Sequence, residues 1–331
     1  MEILNAENNF DATNIPSHPP VKLSFKGSGF DYFSILIINW ILTVITLGLY
    51  YPWARARTLS FIYGNTEMEN SRFVFHGTGM QMFVGFIKAI VVLLLLSSVN
   101  ICAEIINSSL LSIIGTFIFF TGLMILIPIA VHGGLRYRLA KTTWRNIHFG
   151  YRGSKAELIK IFIPGIILTY VTGGIYSSWL YSDLRKYIIG NIRFGNIKFN
   201  YNGNGGALFW INFKGVVFGI LSLGIYLFWY MKNWINYYIS NVDVEQNGNR
   251  YPVKLAVGIG EYFVFQVVNF FLIVFTLGLA TAWVKVRTLN FFFQRIELPE
   301  AINLDILEQT ETDFNDATGD DLLGMMDIGI I

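Results

Sequence analysis

Two lysines stand where lysines are expensive. Lys88 and Lys214 lie inside long apolar runs of a 331-residue chain. Each falls nine residues after a glycine turn, at a position whose counterparts elsewhere are Ile38, Pro164 and Asn269. A helix entering a bilayer at that turn would carry its ninth residue about 13.5 Å down, near the midplane of a hydrocarbon core about 30 Å thick. An ammonium held there marks a solute path. Its simpler role is to snorkel to the near surface. Three basic pairs follow apolar runs: Arg55/Arg57, Arg136/Arg138 and Lys285/Arg287. Such groups suit the phosphate of a lipid headgroup or an anionic ligand, and equally suit plain anchoring of the chain. Asn39 and Asn212, beside the lysine positions, offer hydrogen bonds between helices, a purely structural use.

The elements that must position these residues are membrane elements. Hydrophobic residues make up 53% of the chain and charged residues 14%, with a mean hydropathy of +0.50. A soluble domain of this length would carry roughly 25% charged residues. Six apolar stretches, near 31–51, 81–102, 109–131, 158–180, 207–230 and 262–283, each have roughly the 20 residues a span needs. The expected fold is therefore mainly α and polytopic, with about six transmembrane helices and short β-strands between them. The first residues, MEILNAENNFDATNIPSHPP, lack the basic and apolar regions of a signal peptide, so insertion is expected to rely on the internal segments. Cys102, the one cysteine, reads as a small buried hydrophobe.

The spans share their punctuation. TLGLYYPWARARTLSFIYGN (46–65), TGGIYSSWLYSDLRKYIIGN (172–191) and SLGIYLFWYMKNWINYYISN (222–241) align without gaps. They share Gly48, Gly174 and Gly224; Tyr50, Tyr176 and Tyr226; and Trp53, Trp179 and Trp229. A fourth copy at 276–295 keeps Gly278 and Trp283 but has Ala280 for the tyrosine. Glycine ends or bends a helix, Pro52 suits the first turn of the next, and Trp53 and Tyr50 suit the headgroup level. Short alternating segments ending in glycine precede the spans: LSFKGSG, FVFHGTG, HFGYRGS, FNYNGNG and KLAVGIG. The expected unit is a strand, a glycine turn, a membrane helix and an interfacial helix. Five units, near 22–69, 70–146, 147–194, 195–245 and 250–297, make a body over 22–297. A polar segment (1–21) precedes it and an acidic tail (298–331) follows.

With TLGLYYPWARART, the F-x-F-x-G-T-G segment and the ending GDDLLGMMDIGII, the chain resembles the YjgN-like family of bacterial inner-membrane proteins, over roughly residues 22–331. The resemblance implies a bacterial cytoplasmic membrane and brings no activity, substrate or catalytic residue with it.

Charge sets the expected topology. The linker near 103–108 has no basic residue, while 134–160 has seven, so the second unit reads as a hairpin with cytoplasmic ends. Simple alternation of the other spans puts 13 basic residues inside and nine outside, with both termini outside. The rival is a set of re-entrant units whose strands all meet on one side. It gives the strands partners but sinks Arg55 and Arg57 into the membrane at about 2.5–3.5 kcal/mol each. Alternation is the preferred reading.

Other chemistries find little support. His18, His76, His132 and His148 are far apart in sequence and follow no zinc pattern, and no metal or cofactor is expected. There is no GxSxG elbow or Walker loop, so the chain is not read as an enzyme. The basic residues are dispersed along membrane flanks, which disfavours nucleic acid. From Glu297 onward there are ten acidic residues and no Lys or Arg. That tail reads as a solubilising segment, or as a docking peptide using Leu322, Leu323, Met325, Met326 and Ile328. Two functions follow. One is transport or translocation of a small or lipidic solute, with membrane lipids as partners. The other is a non-enzymatic scaffold that binds a protein through its strands or tail.

Overall fold

The computed structural model describes residues 21–299 and 302–310. The chain leaves a β-layer, turns back at a distant tip and returns, five times over. β1 (Leu23–Phe25) leads into α1 (Gly29–Ile45) and α2 (Tyr51–Gly64). β2 (Thr66–Met68) and β3 (Ser71–Phe75) lead to the long pair α3 (Gly79–Ile106) and α4 (Ser109–Ala140). β4 (Thr142–Trp144) and β5 (Ile147–Tyr151) precede α5 (Lys155–Val171) and α6 (Ser177–Gly190). β6 (Ile192–Phe194) and β7 (Ile197–Tyr201) precede α7 (Gly205–Leu221) and α8 (Leu227–Ser240). β8 (Val242–Gln246), β9 (Asn249–Pro252) and β10 (Lys254–Leu255) precede α9 (Ile259–Phe275) and α10 (Thr281–Phe293), and β11 (Ile296–Glu297) closes the series.

Nine strands form one antiparallel meander in the order β1 to β9, and β10 pairs with β11. Strands as short as Thr66–Met68 give no readable alternation, so β2, β4 and β6 escape the sequence. The two-residue turns are clearer. Glu69-Asn70 after β2, Arg145-Asn146 after β4 and Asn247-Gly248 after β8 all take positive φ, as the turn of a tight hairpin requires. This pairing overturns the alternating topology. Leu23–Phe25 pairs with Thr66–Met68 across the first helical hairpin, and Phe149–Tyr151 with Ile192–Phe194 across the third. Strands on opposite sides of a bilayer cannot pair. The hydrogen bonds of isolated strands are what decides, as the re-entrant arrangement required.

The helices close a ring. Each packs on its neighbours in sequence, and α1 packs against α10. Gly165 and Gly215 let α6 and α8 approach α5 and α7, where Leu180 and Tyr230 cover them. Asn39 is buried at the matching crossing and donates to the Ala54 carbonyl at 3.2 Å.

Four tips share one self-contained turn. Thr46 donates its hydroxyl to the Leu42 carbonyl (2.7 Å) and accepts the Tyr50 amide (2.9 Å). Thr172, Ser222 and Thr276 repeat both bonds. Gly48, Gly174, Gly224 and Gly278, at φ near +90°, direct their amides back to the preceding helix. Leu47, Leu223 and Leu277 at these tips are 94–95% exposed. Exposed leucines on a turn with satisfied backbone suit hydrocarbon, where an unpaired amide is costly. None of the five tips (46–50, 107–108, 172–176, 222–226, 276–280) carries a charged residue.

The sheet curls round an apolar core of Met68, Phe73, Trp144, Phe194, Ile197 and Val244, with Val21 and Val253 at its ends. Trp144 is fully buried, and its Nε1 donates to the Met68 and Ser71 carbonyls. The start of the acidic tail seals this core instead of trailing in solvent. Ile302 and Leu304 are buried in it, and Gln246 and Asn303 exchange two hydrogen bonds. Asp305 pairs with Arg145 at 3.2 Å. The apolar residues from Leu322 onward, and His18, lie outside the described residues.

Among the described residues two helices are long and apolar enough to cross a membrane, Gly79–Ile106 and Ser109–Ala140. The other four apolar stretches each divide into a 17-residue helix, a tip and the start of a returning helix. Seventeen residues reach about 25 Å. Cys102 is exposed on α3, not buried, because it lies on a face of the helix that no described residue covers.

Candidate functional site

Three of the five seams between hairpins are locked by a tryptophan on a glycine. A Cβ on Gly79 would strike the Trp53 ring and come within 2.8 Å of its Cα. Gly205 meets Trp179 in the same way, at 2.7 Å from its Cα, and Gly29 meets the Trp283 ring. Four residues on, Phe33, Phe83 and Phe209 pack on the same tryptophans at 4.9, 4.8 and 5.5 Å. The repeated tryptophan is therefore a joint between hairpins. Its partner tyrosine stacks on it in three copies, Tyr50, Tyr176 and Tyr226.

The fifth hairpin keeps this register but changes its first residue. Tyr32, Met82, Leu158 and Leu208 are buried three residues after the first residue of their helices, and Tyr262 is buried three after Ile259, where α9 starts. Asn269 lies ten after Ile259, as Asn39 lies ten after Gly29. Ile259 thus stands where Gly29, Gly79 and Gly205 stand, and its side chain occupies the space those glycines leave to a tryptophan. Phe263, four residues on, packs on Trp229 at 6.2 Å, further than its three counterparts, and Gly260 has no atom within 4 Å of where a Cβ would lie. Of the five hairpins, α9 and α10 are the least closely packed.

A cleft of 590 Å³ opens there. Its apolar wall is Val264 with the stacked rings of Phe265 and Phe291, 4.1 Å apart. Its polar wall is Arg287, Asn290, Gln294 and Arg295, facing Glu261. Arg295 lies 4.0 Å over the Phe291 ring and donates to Glu261 at 3.2 Å. Arg287 lies 5.4 Å over Phe265 and makes no hydrogen bond or ion pair among the described residues. Two guanidiniums thus face one carboxylate, and one remains open to an anion.

Of the basic residues read from sequence, only Arg287 lines this cleft. Arg55 and Arg57 lie on α2, Arg136 and Arg138 on α4, and Lys285 is exposed on the outer side of α10. Lys88 is half-buried on α3 and Lys214 exposed on α7. Both sit one residue short of the buried crossing at Ala89 and Gly215, so they point aside from the hairpin contact.

Other features were not visible in the sequence. Arg185 is 4% exposed, lies over the Tyr181 and Tyr238 rings, and donates to the Tyr238 hydroxyl at 3.0 Å. Burial pushes the nearby Tyr201 phenol far above its ordinary value. Arg185 holds α6, β7 and α8 together as a cation among tyrosines. His76, just past β3, and His148, on β5, are distant in sequence and have their rings 6.5 Å apart, across the intervening β4. No third ligand joins them, and among the described residues no group of three His, Cys, Asp or Glu forms a metal site. The hydroxyls of Thr46, Thr172, Ser222 and Thr276 were present in all four aligned copies, and that recurrence was the signal.

Comparison with known proteins places the chain. A family described as bacterial protein of unknown function (DUF898) matches residues 20–234 and 229–325. The chain belongs to that family. It is 29% identical over 184 residues to "Inner membrane protein YjgN" of Salmonella typhimurium, covering 50% of this chain and 44% of the relative. It is 26% identical over 219 residues to the proteins of that name from Escherichia coli O157:H7 and K12, covering 55% of this chain and 52% of each relative. The chain thus spans about half the length of the curated relatives it matches. No solved structure matches it. With these relatives and its apolar helices, the protein is an inner-membrane protein of a bacterium.

Proposed function

We propose that this protein binds a small or lipidic anion in the α9–α10 cleft and moves it across or along the inner membrane. One observation carries the reading: among the described residues Arg287 has no hydrogen-bond or ion-pair partner, in a cleft that is apolar on one side and lined by arginines and amides on the other. Six apolar helices enter the bilayer from the sheet side in this arrangement. α3 and α4 cross it, and α1, α5, α7 and α9 turn back at uncharged tips. With every loop charge but that of Glu104, near the α3–α4 tip, on the sheet side, positive-inside bias favours a cytoplasmic sheet. The recurring unit reads as one hairpin copied five times, of which the fifth has become a binding hairpin. Reconstitution into vesicles would test the reading. Flux of fluorescent phosphatidylglycerol or of radiolabelled phosphate, lost in Arg287→Ala, is the expected result. No flux of either probe would overturn it.

A second reading, a docking scaffold, draws on the tail. Residues 302–310 are fastened across the strand turns, with Thr310 donating to the Gly195 carbonyl at 2.6 Å. Truncation at residue 310 that leaves every copurifying protein in place would count against it.

A further inference from the structure

We propose that the cleft in the fifth hairpin is a site for one phospholipid molecule bearing a single net negative charge, its phosphodiester on Arg287 and its chains along α9. The inference rests on the reading of that cleft as the anion site and names its occupant.

Arg287, Asn290 and Gln294 line the cleft from α10. Spacings of three and seven residues put them on one helix face. A guanidinium flanked by two side-chain amides presents donors to the oxygens of a phosphate, and the fork of Arg287 matches two of them at once. Arg295 is already held by Glu261 at 3.2 Å. The charge left over is one positive unit, which suits a diester monoanion. Glu261 on the facing wall repels a second negative charge, so a dianion such as free phosphate or a phosphomonoester is disfavoured.

The remaining surface says that the ligand has a tail. Val264 lines the cleft and is 59% exposed. Seven and eleven residues further along the same face of α9 stand Phe271 and Phe275, both exposed and stacked at 5.6 Å. This apolar track runs from the cleft to the uncharged tip, and a soluble anion would leave it empty. The cleft sits where α9 begins and α10 ends, beside the β10–β11 pair. That is the base of the hairpin, the level at which headgroups meet a membrane-inserted element.

Native mass spectrometry of the full chain in mild detergent tests this, with 1-palmitoyl-2-oleoyl phosphatidylglycerol, the matching phosphatidylcholine and inorganic phosphate as probes. Phosphatidylglycerol should bind about tenfold or more tighter than phosphatidylcholine, consistent with a charge-assisted contact. Arg287→Ala should bring the two lipids level, Arg287→Lys should retain part of the preference, and Lys285→Ala should change nothing. Millimolar phosphate should not displace the lipid. Equal binding of both lipids to the wild type, or an undiminished preference in folded Arg287→Ala, would overturn the proposal. Displacement by inorganic phosphate would overturn the lipid assignment and leave Arg287 as an anion site. Lipid binding without vesicle flux would leave this inference standing and remove transport.

Discussion

The α2–α3 seam and the α9–α10 hairpin use the same parts to opposite effect. In the first, Gly79 admits Trp53 so closely that no side chain fits between them. In the second, Ile259 stands where a glycine would admit Trp229, and a cleft opens beside Gly260 with an arginine that has no ion-pair partner among the described residues. What separates them at the start of the inserted helix is one side chain, Ile259 in place of glycine. A ring of near-equivalent hairpins can thus loosen at one place without any new motif, by replacing one glycine.

The largest effect should come from closing the tight side. Gly79→Ala and Gly205→Ala should each destabilise by about 1–3 kcal/mol, because the tryptophan backbone cannot move aside. Gly260→Ala should cost nothing measurable in the same thermal unfolding assay. Equal losses at all three would refute the difference between the seams. The next effect comes from the open side. Phe291→Ala should remove the ring that stacks on Phe265 and lies under Arg295, and cut phosphatidylglycerol binding about tenfold, or about 1.4 kcal/mol. Retained binding would show that the aromatic wall does not form the site.

A smaller effect is expected at the tips, where both kinds of hairpin agree. Thr46→Val and Thr276→Val should each cost about 1 kcal/mol, by leaving a backbone amide unpaired in lipid. A difference between them would extend the contrast to the membrane side. The smallest lies in the sheet. Arg250, then Lys198, hold the Glu245 carboxyl below its ordinary value of 4.5. A carboxyl lowered in the folded state stabilises fully above the ordinary value, and that contribution is lost as pH falls through the lowered one. Stability should therefore fall below about pH 4.5 by less than ~1 kcal/mol from this partly exposed group. Glu245→Gln should flatten that part of the profile measured by thermal unfolding.

Much of this architecture could be read from residues alone. Glycine turns, apolar periodicity and the Thr-Leu-Gly punctuation located helix starts and tips to within a few residues. The side of the membrane could not be read, because charge counts weigh loops one at a time. Pairing of Leu23 with Met68 is a contact between residues 45 apart that only three-residue strands report. The cleft was half legible. Arg287 stood out as one of a basic pair, but its separation from Lys285 depended on which helix face each took. Counting nine residues from every glycine treated Asn269 and Lys214 as equivalents, but α9 starts at Ile259, one residue before Gly260, so Asn269 falls at the buried crossing that Asn39 and Gly215 occupy and Lys214 falls one residue short of it.

The uncharged tips have a consequence for how the protein is made. A loop that carries charge must be driven across the hydrocarbon, and the membrane voltage then does work on it, about 2.3 kcal/mol per charge per 100 mV. Here nothing charged has to cross at four of the five tips, and at the α3–α4 tip only Glu104, one turn before it, does. The four short hairpins can enter from the side of synthesis one after another, each with its turn already bonded, and a collapse of the membrane potential would neither block them nor push them out.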